Sequence, residues 1–174
     1  MSESTRKTLE REIVTHVAET CLCLHTQRAA RALARLFDTA LRPYGLNNGQ
    51  FSLLMALNRP EPPSIGALAP FLAMDRTSLT AALKPLERRG LVHIRPDDAD
   101  RRSRLIEITA EGVALLQAAL PTWRETHARL DAALGEDAPD RLRSGLRQVP
   151  AVAAKVNSSG DPKAGEAQTA PTTC

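Results

Sequence analysis

One short segment of the chain carries three side chains that ligate metals or react with oxidants. They are Cys21, Cys23 and His25. In a continuous helix, Cys21 and His25 lie four positions apart on one face, while Cys23 points to the other side. The three therefore cannot bind one metal ion together from a regular helix. A Cys–His pair could bind zinc or copper if a second chain completed the site.

The same thiols allow a second kind of chemistry, the sensing of oxidants. A reactive cysteine must be a thiolate, which nearby hydrogen-bond donors and cations favour. A plain packing role is the third alternative, because free cysteines are among the most buried residues. The residue pattern is compatible with all three interpretations.

A second segment, residues 97–104, combines carboxylates with guanidinium groups between two short apolar runs. It reads DDADRRSR. From Arg76 to Arg104 the chain carries eight basic and four acidic side chains, a net charge of +4, whereas the whole chain carries +3. Clustered positive charge is typical of proteins that bind polyanions, although a solvated protein face gives the same count. The segment is too polar to be buried and must face solvent or a partner.

The composition excludes several classes of protein. Apolar residues make up 43% and charged residues 25% of the 174 residues, as in an ordinary globular domain. The N-terminal residues lack the apolar core of a signal peptide, and no apolar run approaches the ~18 residues needed to span a bilayer. We therefore expect a cytoplasmic protein without a membrane partner.

The sequence also lacks the motifs of common enzymes. It contains no Gly-rich phosphate loop, Gly-x-Ser-x-Gly, His-Glu-x-x-His or Cys-x-x-Cys pattern. Its three cysteines, at positions 21, 23 and 174, are an odd set that does not predict a disulfide framework. The sequence thus predicts neither an enzyme nor a bound cofactor or resident metal.

Apolar spacing predicts a chain of helices interrupted by one β-hairpin. Residues 9–42 are expected to form a single long helix, because apolar residues recur at three- and four-residue steps and nothing interrupts them before Pro43. Period-two patterns predict short strands at 91–95 and 105–108, with the charged segment at the tip between them. Later helices are expected at 64–72, 76–89, 109–133 and 139–149.

Short polar side chains mark the expected helix starts. Asn47, with Gln50 three residues on, forms a variant of the capping box and opens a helix that ends before the proline-rich segment 59–63. Ser64 and Asp75 are suited to cap the next two helices. Gly90 is expected to end the second of these in a left-handed conformation.

These elements predict a fold that is mainly α with a small β-hairpin wing. The helices at 64–72 and 76–89 form a helix-turn-helix, and residues 46–108 together form a winged helix-turn-helix domain. The helices within 1–45 and 109–154 are too long for that domain to bury, so they are expected to form a dimerisation region. Residues 155–174 have almost no large apolar side chain and are expected to be a disordered tail.

The motifs and their order resemble the MarR family of transcriptional regulators over about residues 15 to 150. The similar segments are LTAALKPLERRGLV at 79–92, DDADRRSRLIEIT at 97–109, and the Glu-Gly pair at 111–112. The resemblance implies a homodimer that binds pseudo-palindromic operator DNA through its winged domain. It also implies repression that is relieved by a small-molecule inducer or by oxidation.

The resemblance assigns DNA contacts to two elements. An α-helix fits the major groove, where Thr, Ser, Lys and Arg side chains reach base edges. The candidates on the second helix of the pair are Arg76, Thr77, Ser78, Thr80 and Lys84. On the wing they are Arg101, Arg102 and Arg104, one of which enters a narrow minor groove. By resemblance, Asp100 pairs with Arg102 and stiffens the tip of the wing.

The resemblance also places candidate sensing residues. Cys23 falls where the OhrR branch of the family has its peroxide-reactive cysteine, but the positions of the tyrosine donors look like Gln27, Phe37 and Asn48 here. A ligand pocket is expected between the long helices and the winged domain, lined by Phe51, Met55, Trp123 and His25. A winged helix that docks a protein and has no DNA role is the alternative function.

Overall fold

The structure is a computed structural model, and it describes residues 9–159. The chain divides into two compact units, one up to Thr126 and one from His127 onward. The elements are α1 (Arg11–Thr20), α2 (Leu22–Leu41), a 3₁₀ turn (Arg42–Tyr44), α3 (Asn48–Leu57), α4 (Ile65–Phe71), α5 (Arg76–Arg88), β1 (Val92–Pro96), β2 (Arg104–Ile108), α6 (Ala110–Leu134) and α7 (Ala138–Ser159). The predicted fold class, mainly α with one two-stranded hairpin, is confirmed.

The first long helix is broken, so the prediction of one continuous helix from 9 to 42 is wrong. The break is at Cys21, whose backbone is extended with φ −72° and ψ 105°. Its sulfur accepts a hydrogen bond from the Leu24 N–H at 3.4 Å and so caps α2. The apolar spacing runs on through this residue without Gly or Pro, which is why the sequence does not reveal the break.

Helix α1 has an apolar face that none of residues 9–159 covers. None of its residues is buried. Leu9, Ile13, Val14 and Val17 are 46–72% exposed. A helix with this much exposed apolar surface would be only marginally stable alone in water.

The winged region has the helix caps that its sequence predicts. The Asn47 carboxamide accepts from the Gln50 N–H at 2.8 Å, and Gln50 accepts from the Asn47 N–H at 3.1 Å, which completes the capping box. The Ser64 hydroxyl accepts from the Ala67 N–H at 3.2 Å. The Asp75 carboxylate accepts from the Ser78 N–H at 2.8 Å. Each helix of this region therefore begins with a satisfied donor.

One side of α5 forms the centre of the core. Leu79, Leu83 and Leu86 are fully buried, together with Leu68 of α4 and Ile106 of β2. Burying a leucine side chain stabilises a fold by roughly 1.5–3 kcal/mol. The turn before α5 contains Ala73 at φ 52°, a left-handed conformation that a residue with a Cβ rarely adopts.

The hairpin pairs β1 and β2 in antiparallel register, with Val92 opposite Ile108 and Pro96 opposite Arg104. The strand region is tied to the start of α4 by the Ile106 N–H, which donates to the Pro63 carbonyl oxygen at 3.0 Å. The hairpin is therefore bonded to the helix-turn-helix, and only its tip, residues 97–103, extends beyond the paired strands.

The hairpin joins α6 through a close backbone contact. Gly90 is left-handed with φ 69°, as its position after α5 predicts. Its carbonyl oxygen accepts from the Thr109 hydroxyl at 2.7 Å, and the Gly112 N–H donates to the same hydroxyl at 3.1 Å. A Cβ at position 112 would collide with the carbonyl oxygen of Leu91 and the side chain of Ile108. Only glycine fits at this junction.

The second unit contains the end of α6 and helix α7. The Arg143 guanidinium group of α7 donates to both carboxylate oxygens of Asp131 at 2.5 and 2.6 Å. The hydrogen bonds that Arg143 donates to Asp131 and Asp140 raise the pKa of its guanidinium group further above the ordinary value. The apolar residues of α7 lie mostly at three- and four-residue steps, and all are 44–66% exposed: Leu142, Leu146, Val149, Val152 and Val156.

Helix α7 is longer than expected. The sequence predicts a helix at 139–149, whereas α7 runs to Ser159. The expectation of disorder from Lys155 onward is therefore wrong for residues 155–159, and the rest of that expected tail lies outside the described residues. No helix within residues 9–159 is long and apolar enough to cross a bilayer.

Candidate nucleic-acid interface

Helix α5 presents a polar face opposite its buried leucines. Thr77, Ala81, Lys84 and Arg88 are all exposed. At about 100° per residue they fall on one side of the helix, directly across from the buried stripe. A rod of this width with such side chains on one face fits the major groove of a duplex. Arg88 is not among the residues predicted from the sequence, although its spacing of four from Lys84 is the signal that points to it.

Two of the predicted contact residues are engaged within α5 itself. The Ser78 hydroxyl donates to the second carboxylate oxygen of Asp75 at 2.6 Å. This hydrogen bond and that from the Ser78 N–H hold the pKa of Asp75 below its ordinary value. The Thr80 hydroxyl donates to the Arg76 carbonyl oxygen at 2.7 Å. Ser78 therefore belongs to the cap of α5, and Thr80 to its first turns.

Two carboxylates of the wing tip, those of Asp97 and Asp100, hold the backbone and not the tip arginines. Asp97 accepts from the Ala99 N–H at 2.9 Å, and Asp100 accepts from the Arg102 N–H at 3.0 Å. The expected pairing of Asp100 with the Arg102 side chain is not what forms. Asx-type hydrogen bonds of this kind fix a tight turn locally.

Three arginines at or beside the tip have no acidic partner. Among the described residues, Arg101, Arg102 and Arg104 form no ion pair, whereas Arg95 on β1 lies 3.8 Å from both Asp98 and Glu107. The wing therefore combines a tip backbone fixed by carboxylates with exposed guanidinium groups, those of Arg101 and Arg102 at the tip and that of Arg104 at the start of β2. This arrangement lets the cations meet a polyanion without first breaking ion pairs.

Comparison with known proteins identifies this arrangement. A family model described as MarR family matches residues 46–103. The transcriptional regulator MosR of M. tuberculosis, solved in complex with DNA, is 38% identical, with a TM-score of 0.71 over 78% of this chain and 98% of that one. The chain belongs to the MarR family.

Curated relatives are named as regulators of transcription. The repressor MprA of Escherichia coli K12 is 30% identical over 75% of this chain and 73% of its own length. The activatory protein BadR of Rhodopseudomonas palustris is 38% identical over 49% of this chain and 50% of its own length. This chain therefore spans about half the length of BadR. The match to the MarR family model lies in the winged region of this chain.

In this MarR-family chain the cysteine segment is not a continuous helix. Cys21 is the half-buried cap of α2, Cys23 is exposed in its first turn, and both thiols are free. The His25 imidazole contacts the Glu19 carbonyl oxygen at 3.0 Å. The expected sharing of one helix face by Cys21 and His25 is therefore wrong. Within residues 9–159, no group of three or more metal-ligating side chains comes together.

Three of the four expected pocket residues do lie together. Phe51, Met55 and Trp123 line a groove of about 330 Å³ with Phe71 and Leu120. The rings of Phe51 and Trp123 stack with centroids 5.8 Å apart, and the Arg59 guanidinium group lies 5.2 Å from the centroid of the Phe71 ring. His25 does not line this groove, because its ring is at the helix break.

Proposed function

We propose that this protein is a transcriptional regulator, most simply a repressor, that binds pseudo-palindromic duplex DNA as a homodimer. The observation that carries the proposal is the pairing of two exposed cationic elements in one unit. Helix α5 presents Thr77, Lys84 and Arg88 on one face, and the wing carries arginines without acidic partners. Helix α5 enters the major groove, and a wing arginine enters the minor groove.

The dimer is supported by the terminal helices. Helix α1 has no buried residue, and the apolar stripe of α7 is exposed along its length. Large exposed apolar surfaces mark sites of association. A second copy of the chain covers them most simply, because a two-fold axis then also supplies two copies of α5 for the two half-sites of an operator.

Repression follows from the same geometry. A dimer seated across a promoter occupies the major and minor grooves that the transcription machinery needs, without any catalytic step. The relative MprA is named a repressor, and BadR an activatory protein. We assign repression to this chain and place it in the cytoplasm, where the DNA is.

The aromatic groove is the proposed site of a small-molecule inducer. Its stacked Phe51 and Trp123 rings and the side chains of Met55 and Leu120 offer a flat apolar wall. Ligand pockets are typically concave, apolar and of this size, with few polar groups. A ligand there contacts α3 and the loop before α5, and can therefore shift the position of α5.

The test is a titration of the full-length protein against a duplex enriched from a random library, at several salt concentrations. We expect much tighter binding to that duplex than to a scrambled one, with a steep salt dependence. Replacing Arg102 by Ala should weaken binding to DNA. Arg124→Ala, which removes the same charge from an exposed position on α6, is the control and should leave DNA binding unchanged. Equal affinity for both duplexes, or none for either, contradicts the proposal. No binding would favour the protein-docking alternative, which the polar face of α5 makes the weaker one.

A second candidate is thiol redox control of the same regulator. The observation that favours it is the closeness of two free thiols in the sequence. The Cys21 sulfur accepts from the Leu24 N–H at the start of α2, and Cys23, two residues away, is exposed. A hydroperoxide would take two electrons from the two thiols to give a disulfide, an alcohol and water. Loss of DNA binding on peroxide treatment in the wild type but not in Cys23→Ser supports this; equal insensitivity excludes it.

A further inference from the structure

Arg76 differs from the other cations of the interface in where its guanidinium group lies. It is the first residue of α5, and its side chain folds back over Gly66 near the start of α4. Its Nη2 and Cζ atoms lie 3.3 and 3.9 Å from the point where a Cβ on residue 66 would stand. The bare backbone of Gly66 therefore leaves room for the guanidinium group.

The position of Arg76 around α5 keeps it away from the polar face that carries Thr77 and Lys84, which we call the base-reading face. At about 100° per residue, it is roughly 100° from Thr77 and about 80° from Lys84. It is only about 20° from fully buried Leu83. Arg76 thus leaves the helix at the edge of the DNA-facing surface and lies along the junction between α4 and α5.

The charge on Arg76 has no acidic partner to neutralise it. In the part of the chain that the structure describes, its guanidinium group forms no ion pair, and neighbouring Asp75 is occupied by Ser78. A cation at the flank of a helix that lies in the major groove is near the groove edge, where the backbone phosphates are.

We propose that Arg76 binds a backbone phosphate and that Gly66 holds it there. The pair would then set the position of α5 on the duplex without reading its sequence. This inference rests on the proposed function and divides the cations of α5 by task. Phosphate contacts fix register and orientation, and base edges carry the sequence information.

The test compares full-length wild type, Arg76→Ala and Thr77→Ala on two duplexes, one enriched from a random library and one scrambled. Arg76→Ala should weaken binding to both duplexes by the same factor. It should also lower the slope of log affinity against log salt by about 1 per lost contact. Thr77→Ala, on the base-reading face, should weaken binding to the enriched duplex only.

Gly66→Ala tests the contribution of Gly66 to the position of the Arg76 guanidinium group. The new methyl group meets only the mobile end of Arg76 and the Ser64 hydroxyl, so the fold should be kept and thermal unfolding should show it. The displaced guanidinium group should reproduce part of the loss seen in Arg76→Ala on both duplexes. In the Arg76→Ala background, Gly66→Ala should have no further effect.

The outcomes separate this inference from the function it rests on. If the wild type binds neither duplex, the proposed function is wrong and this inference with it. If the wild type prefers the enriched duplex but Arg76→Ala loses only that preference, Arg76 reads a base and the inference is overturned. Unchanged binding by Arg76→Ala, or by Gly66→Ala alone, overturns the role of that residue.

Discussion

The winged region and the terminal helices use similar apolar residues in opposite ways. In the winged region Leu79, Leu83 and Leu86 are fully buried, and each helix start has a side-chain cap. In α7 the apolar side chains are just as regularly spaced, yet Leu146 and Val149 are about half exposed. The first region completes its core within one chain, whereas the apolar side chains of the terminal helices stay exposed in a single chain.

This difference predicts that mutations in the two regions will fail in different assays. A change in the winged core should lower the free energy of unfolding. A change on the terminal stripes should lower the affinity of one chain for another. DNA binding depends on both the folded core and the association of two chains, so a loss of DNA binding does not show which of them has failed. Folding and association therefore have to be measured directly.

The largest expected effect is that of Leu83→Ala in the buried stripe of α5. Leu83 is fully buried, so the cavity left behind should cost roughly 2–5 kcal/mol of unfolding free energy. Denaturant unfolding followed by the fluorescence of Trp123, the single tryptophan, measures this. Leu36→Ala, on a half-exposed leucine of α2, is the control. Equal losses for the two variants would contradict the assigned core.

Leu146→Glu should break the association of two chains. A carboxylate buried at an apolar interface costs on the order of 3 kcal/mol, or about a hundredfold in the dissociation constant. Sedimentation over a range of concentrations should show monomers where the wild type is dimeric. Ala151→Glu adds the same charge to the opposite side of α7 and should leave the dimer intact. A dimeric Leu146→Glu protein would remove α7 from the interface.

Asn47→Ala tests how much the caps contribute to the completeness of the winged region. Asn47 satisfies the Gln50 N–H and receives the Gln50 side chain in return. Loss of such a cap costs ~1 kcal/mol. Asn58→Ala, at the other end of α3 where no side-chain cap forms, should be close to neutral. If thermal or denaturant unfolding does not separate the two variants, the capping box is not stabilising.

The smallest effect, and the only stabilising one, is expected from Ala73→Gly. Ala73 is held at φ 52° in the turn before α5. Glycine adopts this conformation without a steric penalty, so the substitution should raise the free energy of unfolding by about 0.5–1 kcal/mol. Ala118→Gly, in the interior of α6, should lower it by about the same amount. A loss at both positions would contradict the backbone conformation of the turn.

The sequence predicts the winged region well because its signals are local. Asn47, Ser64 and Asp75 each accept a hydrogen bond from the N–H three residues downstream, and Gly90 turns left-handed at the end of α5. The alternation of apolar and polar residues fixes which face of each strand is buried. Such signals are complete within a few residues and need no knowledge of the rest of the fold.

The features that the sequence misses depend on distant or backbone interactions. The break at Cys21 lies inside an uninterrupted apolar pattern. Asp100 accepts from the backbone N–H of Arg102. The sequence places this N–H and the Arg102 guanidinium group equally close to Asp100, so it does not predict which of the two is bound. The family resemblance places His25 in the pocket, but its ring lies at the break before α2, 3.0 Å from the Glu19 carbonyl oxygen. The guanidinium group of Arg76 lies against Gly66, ten residues away in the chain.

Gly112 has a mechanical consequence. With no side chain between them, the first turn of α6 and the backbone of Leu91 are in direct contact, and Thr109 bonds the same turn to Gly90. Interiors packed this closely transmit displacement instead of absorbing it. We therefore expect a displacement of the first turn of α6 to be transmitted to the start of the hairpin, and along its strands to the arginines of the wing.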